Sequence, residues 1–437
     1  MSARAFSQSA LASVVVLLIG TATGVLSART LGPVDRGYLG ILVFWPGFIT
    51  AFSRLPYGDA TVFHYSDAVT STRGKRRDVF ETALKFCLVA MAIGIIPSGI
   101  GLWASVHRLP GGVSILAIEF GAVYFVMSHL TEVYLGILRA RGRFSLVNVV
   151  RLTVPLSYFA GVVVSFAFGA TLGGFVLANC VSMALGLAAA IGGSAGERHA
   201  ASRLTASDPF IRTLAAFHGL SLVLMLSTQV DRLLLIPTST PQQVGIYVIA
   251  VTMAAPVQGF VGTSVATVGL PAMLAMEEAR RGQAAVRMLR LVLTASLAGA
   301  VIVAVLAPFV APLLFGARFL EAGKLAPGVA FAGCLVAVRQ AFAPVFKSRA
   351  ATAVIVIGEL IYLGAFCASF GAAWLAKLHW PVIYGIAAGN LASTMYLALK
   401  FHRAWPGLRL RSWAVPTPAA ALELMSISFA GVALRFR

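Results

Sequence analysis

The sequence is short of acidic residues, of cysteine and of every common catalytic motif. Only 15 of the 437 residues are Asp or Glu, against 34 Lys and Arg. The four cysteines stand alone in apolar stretches, without CxxC spacing or a flanking histidine, which predicts packing roles rather than a metal site or a disulfide. The chain has no HExxH sequence, nucleophile elbow, acidic metal pair or phosphate-binding glycine loop. These absences argue against an enzyme, and we predict no cofactor.

Hydrophobic residues, by contrast, are abundant along the whole chain. They make up 59% of the sequence, charged residues make up 11%, and the mean hydropathy is +0.89. Apolar runs of about 20 residues, each long enough to cross a bilayer as a helix, recur about twelve times. The sequence therefore predicts an all-α polytopic membrane protein. The runs lie near residues 10–29, 38–64, 82–104, 113–138, 147–168, 171–192, 213–236, 244–274, 289–314, 327–346, 352–376 and 380–400.

The basic residues are concentrated in every second gap between these runs. The other gaps hold only Arg29, Arg36, Arg108, Arg318, Lys324 and Lys377. Because loops rich in Lys and Arg stay on the cytoplasmic side, we expect a multi-pass protein of the bacterial inner membrane with both termini in the cytoplasm. The net charge of +19 then reflects topology and attraction to anionic lipid headgroups, and we do not expect nucleic acid as a partner.

The two halves of the chain share a short motif at equivalent positions. Pro33 and Gly37 precede the second predicted helix, and Pro241 and Gly245 precede the eighth with the same spacing. An even number of helices per half makes these parallel repeats, the arrangement in which transporters place a substrate cavity between two lobes. The alternative is chance similarity between Gly/Pro loops.

We accordingly expect three segments along the chain. They are two six-helix lobes around a central cavity, residues 1–200 and 201–405, followed by a tail, residues 406–437. The tail ends in an apolar stretch that is short for a span and contains Glu423, so we predict that it is cytoplasmic or interfacial. A thirteenth crossing is the alternative.

Several of these segments resemble one known family. Ala28-Arg29-Thr30-Leu31-Gly32-Pro33 followed by Gly37-Tyr38 is similar to the first-loop pattern of bacterial polysaccharide exporters and lipid-linked oligosaccharide flippases. So are Gln229-Val230-Asp231-Arg232, Gly245-Ile246-Tyr247, Pro271 and Leu314-Phe315-Gly316 with Phe319. These exporters belong to the multidrug/oligosaccharidyl-lipid/polysaccharide exporter superfamily, with the multidrug and toxic-compound extruders and the lipid II flippases. The resemblance, over residues 10–400, implies a two-lobed carrier that moves an undecaprenyl-diphosphate-linked sugar.

Arg54 is the strongest candidate for binding such a substrate. It lies near the middle of the second predicted helix, where an unpaired cation costs ~2.5–3.5 kcal/mol on insertion scales. A guanidinium offers paired donors to phosphate oxygens and stays charged at physiological pH. Tyr57 and Asp59 follow around a break at Pro56 and Gly58 and are further binding candidates. The alternative is structural, with Arg54 paired to Asp59 or capping backbone freed by the break.

Two more arginines are candidates at the outer ends of helices. Arg29 precedes the first outer loop, and Arg232 lies about a turn inside the outer end of the seventh predicted helix. Together they would form a positive rim that attracts a diphosphate. The alternatives are interfacial snorkelling for Arg29 and charge balance by Asp231 for Arg232.

Ion coupling has four candidate residues. His129 and Glu132 are three positions apart and share a face of the fourth predicted helix, as a proton or cation site requires. Glu119 on the same helix and Glu359 on the eleventh are further candidates. Each of the four is equally explained by a satisfied hydrogen bond between helices.

These observations lead to one predicted function and two alternatives. We expect a transporter that flips a lipid-linked oligosaccharide by alternating access, with membrane lipids and glycan polymerases or glycosyltransferases of the same pathway as partners. The first alternative is a cation-coupled exporter of drugs or other amphiphiles on the same fold. The second is a scaffold that transports nothing.

Overall fold

A computed structural model describes most of the chain. The described residues are 3–53, 84, 85, 87–92, 94, 111–141, 143–169, 171–194, 208–255, 273, 277–349 and 351–405. Within them the regular elements are all helical. Nine long helices are α1 (Ala3–Ser53), α2 (Gly111–Ala140), α3 (Phe144–Ala167), α4 (Leu172–Gly193), α5 (Asp208–Thr238), α6 (Glu278–Phe315), α7 (Leu320–Lys347), α8 (Thr352–Leu375) and α9 (Pro381–Ala404), and residues 241–255 are helical as well.

Eight of these helices are long and apolar enough to cross a membrane. The spans are Val15–Ser53, Phe120–Arg139, Phe144–Ala167, Leu172–Gly193, Arg280–Phe315, Ala317–Lys347, Thr352–Leu375 and Pro381–Ala404. A helix satisfies all its backbone hydrogen bonds internally, which is why apolar sequences of this length become helices in lipid. The predicted class, an all-α multi-pass membrane protein, is confirmed.

The connection between the first two predicted spans differs from the sequence prediction. The gap between the first two predicted spans is helical, and α1 continues through it to Ser53 with one interruption at Gly32. There φ is 71° and ψ is −180°, a conformation open to glycine and strained for other residues. Gly32 therefore bends α1 without a loop, a feature that hydropathy alone does not reveal.

The connection from α6 to α7 is also shorter than predicted. A turn of 3-10 helix, Ala317–Phe319, follows α6 directly, and α7 begins at Leu320. Lys324 thus lies in a helix and not in a loop. The first turn of α7 contains the charged residue Glu321, so a search for uninterrupted apolar runs starts this helix too late.

The described chain divides into two compact units. The first comprises the described residues up to Met225 together with Thr240–Gly245, and the second comprises Leu226–Ser239 and the described residues from Ile246 onwards. Helix α5 thus contributes to both units. The predicted lobes 1–200 and 201–405 remain a prediction, and the predicted tail 406–437 lies outside the described residues.

In the first unit, α1 packs against α2, α3 and α4, and α4 packs against both α2 and α3. Each helix contributes large apolar side chains to a shared core, which stabilises the unit through close packing. The core residues are Leu31, Leu39, Leu42, Phe120, Val162, Phe175 and Val176.

In the second unit, α6 packs along α7, α8 packs along α9, and α7 joins the two pairs through its contacts with α8 and α9. Helix α7 is the most enclosed of the described spans. Arg339, towards the end of this helix, is 4% exposed, whereas Gln340 and Lys347 are exposed. The core includes Val286, Leu289, Val292, Phe342, Phe346, Ile355, Leu397 and Phe401.

Candidate functional site

A buried histidine anchors the end of α1, next to the position of Arg54. Ser53, the last residue of α1, is 8% exposed, and His129 on α2 is fully buried. His129 Nε2 lies 3.1 Å from Ser53 Oγ, and His129 Nδ1 lies 2.9 Å from the Phe125 carbonyl oxygen. The residue that precedes Arg54 is therefore fixed to a second helix. Arg54, Tyr57 and Asp59 themselves lie outside the described residues.

The protonation of His129 determines how this contact is made. A carbonyl oxygen only accepts, so Nδ1 carries a proton and donates it to Phe125. Ser53 Oγ also lies 2.8 Å from the Ile49 carbonyl oxygen, and the hydroxyl has one proton to donate. With a neutral ring, Ser53 donates to Nε2. With a charged ring, Nε2 donates to Ser53, which then donates to Ile49.

His129 and Glu132, which were predicted to share a proton or cation site, have different hydrogen-bond partners. Glu132 Oε1 accepts a hydrogen bond from Arg139 Nη1 at 2.9 Å, two turns along the same helix. Both side chains are partly exposed, Arg139 by 32% and Glu132 by 17%. The two candidates thus bind different partners. The side chain of Glu119 lies outside the described part of the chain.

The two rim arginines differ in exposure. Arg29 is exposed, three residues before the bend at Gly32, whereas Arg232 on α5 is half-buried. Asp231, the neighbour of Arg232, accepts a hydrogen bond from the Tyr247 hydroxyl at 2.6 Å. Its second oxygen, Oδ1, is buried and has no hydrogen-bond partner. Asp231 thus accepts a hydrogen bond from the Tyr247 phenol and is adjacent in sequence to the cation of Arg232.

A buried ion pair joins two helices of the second unit, and the sequence did not predict this pairing. Arg339 Nη1 on α7 donates to Glu359 Oε2 on α8, and the two side chains are 3% and 9% exposed. The Arg339 guanidinium also lies 4.1 Å from the centre of the Tyr362 ring. Opposite charges in neighbouring predicted spans were a visible signal, but their pairing depends on packing.

Asp231 and Tyr247 lie close to this pair. Tyr362 is within electrostatic range of Arg339, Glu359 and Asp231, and Tyr247 is within electrostatic range of Tyr362. We call these five residues, Asp231, Tyr247, Arg339, Glu359 and Tyr362, the buried polar cluster. Within the cluster the Arg339 guanidinium compensates Glu359, which lowers the cost of burying that pair, whereas Asp231 has the Tyr247 hydroxyl as its donor.

Neither unit offers the ligands of a metal centre among its described residues. In those parts of the chain no three His, Cys, Asp or Glu side chains come together as a metal ion would need. Several of the polar groups described above connect helices, among them Ser53 with His129 and Arg339 with Glu359.

The fold, with its eight long apolar helices, defines a polytopic all-α membrane protein. Residues 26–324 match the family described as "Polysaccharide biosynthesis protein", and the chain belongs to that family. No curated protein matches the chain. The family expected from the sequence motifs is thereby confirmed.

Solved structures of transporters share the fold at low sequence identity. The inward closed conformation of the lipid II flippase MurJ has a TM-score of 0.74 and 13% identity, over 96% of this chain and 91% of that one. An inward-facing multidrug resistance MATE family transporter of the MOP superfamily has a TM-score of 0.69 and 15% identity, over 90% and 96%. The MATE transporter VcmN of Vibrio cholerae has a TM-score of 0.57 and 16% identity, over 93% and 99%.

Proposed function

We propose that this protein flips a polyprenyl-diphosphate-linked oligosaccharide, or a polysaccharide repeat unit, across the bacterial inner membrane. The observation that carries the proposal is the family match over residues 26–324, on a fold that this chain shares with a lipid II flippase. Family and fold together join polysaccharide synthesis to movement across a membrane. By the distribution of basic residues, both termini would lie in the cytoplasm.

The charged residues favour an anionic substrate. The chain carries a net charge of +19, and Arg54 follows directly on a residue that His129 anchors. A guanidinium binds diphosphate oxygens through paired, charge-assisted hydrogen bonds. Arg29 and Arg232 would attract the same group at the outer ends of their helices.

The runner-up, cation-coupled export of drugs, draws support from the likeness to MATE transporters. A cationic drug needs a carboxylate to receive it. Glu132 and Glu359 are each paired with an arginine of this chain, which leaves them little charge to offer such a drug. This pairing supports the anionic substrate at those two carboxylates, and Asp231, with one unpartnered oxygen, is the described carboxylate that a cationic drug would use.

The first prediction concerns Arg54. Arg54→Ala should weaken binding of a polyprenyl-diphosphate sugar by about tenfold to a hundredfold, since hydrogen bonds to charged groups contribute ~1.5–3 kcal/mol each. The measurement is a titration of detergent-solubilised protein with a fluorescent polyprenyl-diphosphate sugar. The affinity of Arg54→Lys should lie between those of the native protein and Arg54→Ala, because an ammonium keeps the charge and loses the paired geometry.

Arg318→Ala is the matched control for this experiment. Arg318 is exposed in the turn between α6 and α7, so its loss removes the same charge at a place remote from Arg54 in sequence. It should leave the affinity unchanged. Equal binding by native protein and Arg54→Ala, with both folded, would remove Arg54 from the site.

A further inference from the structure

The two copies of the Pro–Gly motif contact each other. Gly37 packs against the backbone of Pro241, and Gly245 packs against the backbone of Pro33. The contact is reciprocal, because the glycine of each copy meets the proline of the other. Such an exchange is what a two-fold arrangement of equivalent segments produces. We call these four residues the Pro–Gly clasp.

The approach of the two backbones is too close for any side chain. A Cβ added to Gly37 would fall inside the contact distance of the Pro241 carbonyl oxygen and 3.1 Å from Pro241 Cα. A Cβ added to Gly245 would meet the Pro33 carbonyl oxygen and lie 3.0 Å from the Gly37 nitrogen. Backbone atoms cannot rotate away as a side chain can, so glycine is required at both positions.

Local structure fixes each half of the clasp. Pro33 follows the bend at Gly32 and opens the second part of α1, and Pro241 opens the helical residues 241–255. Proline suits the first position of a helix, and a residue four positions later lies on the same face. Each proline and its glycine therefore form one face of a first helical turn, and the two faces pack together.

The second copy is further rigidified by a capping box. Thr240 Oγ1 accepts from the Gln243 backbone nitrogen at 3.3 Å, and Gln243 Oε1 accepts from the Thr240 backbone nitrogen at 2.9 Å. This reciprocal pair is the usual signature of a well-defined helix start. The capping box therefore holds Pro241 and Gly245 in a defined first helical turn.

All four residues of the Pro–Gly clasp belong to the first compact unit. Thr240–Gly245 groups with the first unit, whereas the residues on both sides of it, Leu226–Ser239 and those from Ile246 onwards, group with the second. A short segment from the second half of the sequence is thus packed as part of the first unit.

We propose that the Pro–Gly clasp is a gate at the outer ends of the two repeats and that it parts once in every transport cycle. The proposal rests on the alternating-access function proposed above and on the outer location that the basic residues predict for both loops. In the closed gate the two backbones meet directly, because neither Gly37 nor Gly245 has a side chain to separate them.

A reporter cysteine tests whether the clasp opens. In a variant without the four native cysteines, Val244→Cys places a thiol in the clasp segment at a position that is 3% exposed. A membrane-impermeant maleimide added outside the cell should label it slowly in the otherwise native chain. Gln242→Cys, which is exposed on the same turn, should label rapidly and shows that the reagent reaches the loop.

Alanine substitutions then test what holds the clasp closed. Gly37→Ala and Gly245→Ala should each raise the labelling rate of Val244→Cys several-fold, and the double variant should add little, because either Cβ separates the same contact. Gly20→Ala is the matched control: it lies on α1 too, its added Cβ has no neighbour within 4 Å, and labelling should not change.

The outcomes separate the clasp from the proposed substrate, because labelling needs no substrate. A Val244→Cys thiol that never labels from outside in the folded native background would overturn the gate, whether or not the alanine variants fold. Labelling from the cytoplasmic side alone, or alanine variants that behave as Gly20→Ala does, would overturn it too. If the clasp opens and no lipid-linked sugar moves, the gate stands and the proposed function fails.

Discussion

Arg339 and Glu359 form a buried pair whose role is testable by removing one charge at a time. Glu359→Gln would leave the buried guanidinium without the carboxylate that it pairs with, so we expect it to lower stability by about 3–5 kcal/mol. Thermal unfolding in detergent measures this. Glu132→Gln is the matched control and should cost about 1 kcal/mol or less, because its partner Arg139 is 32% exposed.

The double variant Arg339→Met/Glu359→Gln removes the stranded charge and should recover most of the lost stability. If Glu359→Gln unfolds at the temperature of Glu132→Gln, the pair is not a structural element of the second unit. Transport by the double variant then tests whether Glu359 takes part in ion coupling, because such a role requires its carboxylate.

Single residues show where sequence reasoning reaches and where it ends. The chemistry of a buried arginine is readable from its place in an apolar run, and Glu359 was a visible candidate for the same reason. The partner was not readable, because Arg339 and Glu359 are 20 positions apart on different helices and meet only through packing. His129 follows the same logic, since its partner Ser53 lies 76 positions away.

Among the helices, α1 is the one whose shape depends most on one residue. Gly32 adopts φ 71° in the middle of this helix. Gly32→Ala would force an L-residue into that conformation, and we expect a loss of about 1–3 kcal/mol in the free energy of unfolding. The comparison is Gly20→Ala on the same helix, where the added methyl meets no atom and alanine should be tolerated. Equal unfolding temperatures would show that the bend is not imposed by Gly32.

Helices were largely predictable because twenty apolar residues in lipid have one favourable backbone structure. Helix ends were less so. Hydropathy placed a loop before Tyr38, where the helix only bends at Gly32. It also delayed the start of α7, because the first residues of that helix include Glu321 and Lys324. The Pro–Gly repeat was visible as a pattern, but the contact between its two copies depends on the fold.

For the molecule as a whole, composition and charge distribution were sufficient to predict a polytopic all-α membrane protein. The family followed from short motifs, and residues 26–324 match it. The substrate is a different matter, because the same fold occurs in a lipid II flippase and in multidrug transporters. Differences in a few charged side chains, and not in architecture, must then decide between an anionic and a cationic cargo.

The central claim, an anionic lipid-linked cargo, is tested most directly in vesicles that contain the purified protein. Two fluorescent probes are compared, a polyprenyl-diphosphate sugar and a cationic amphiphile, and an impermeant quencher added outside reports how much of each reaches the outer leaflet. We expect the protein to speed the crossing of the lipid-linked sugar, whereas the cationic amphiphile should cross at the same rate as in protein-free vesicles. Accelerated crossing of the cation alone, by folded protein, would contradict it.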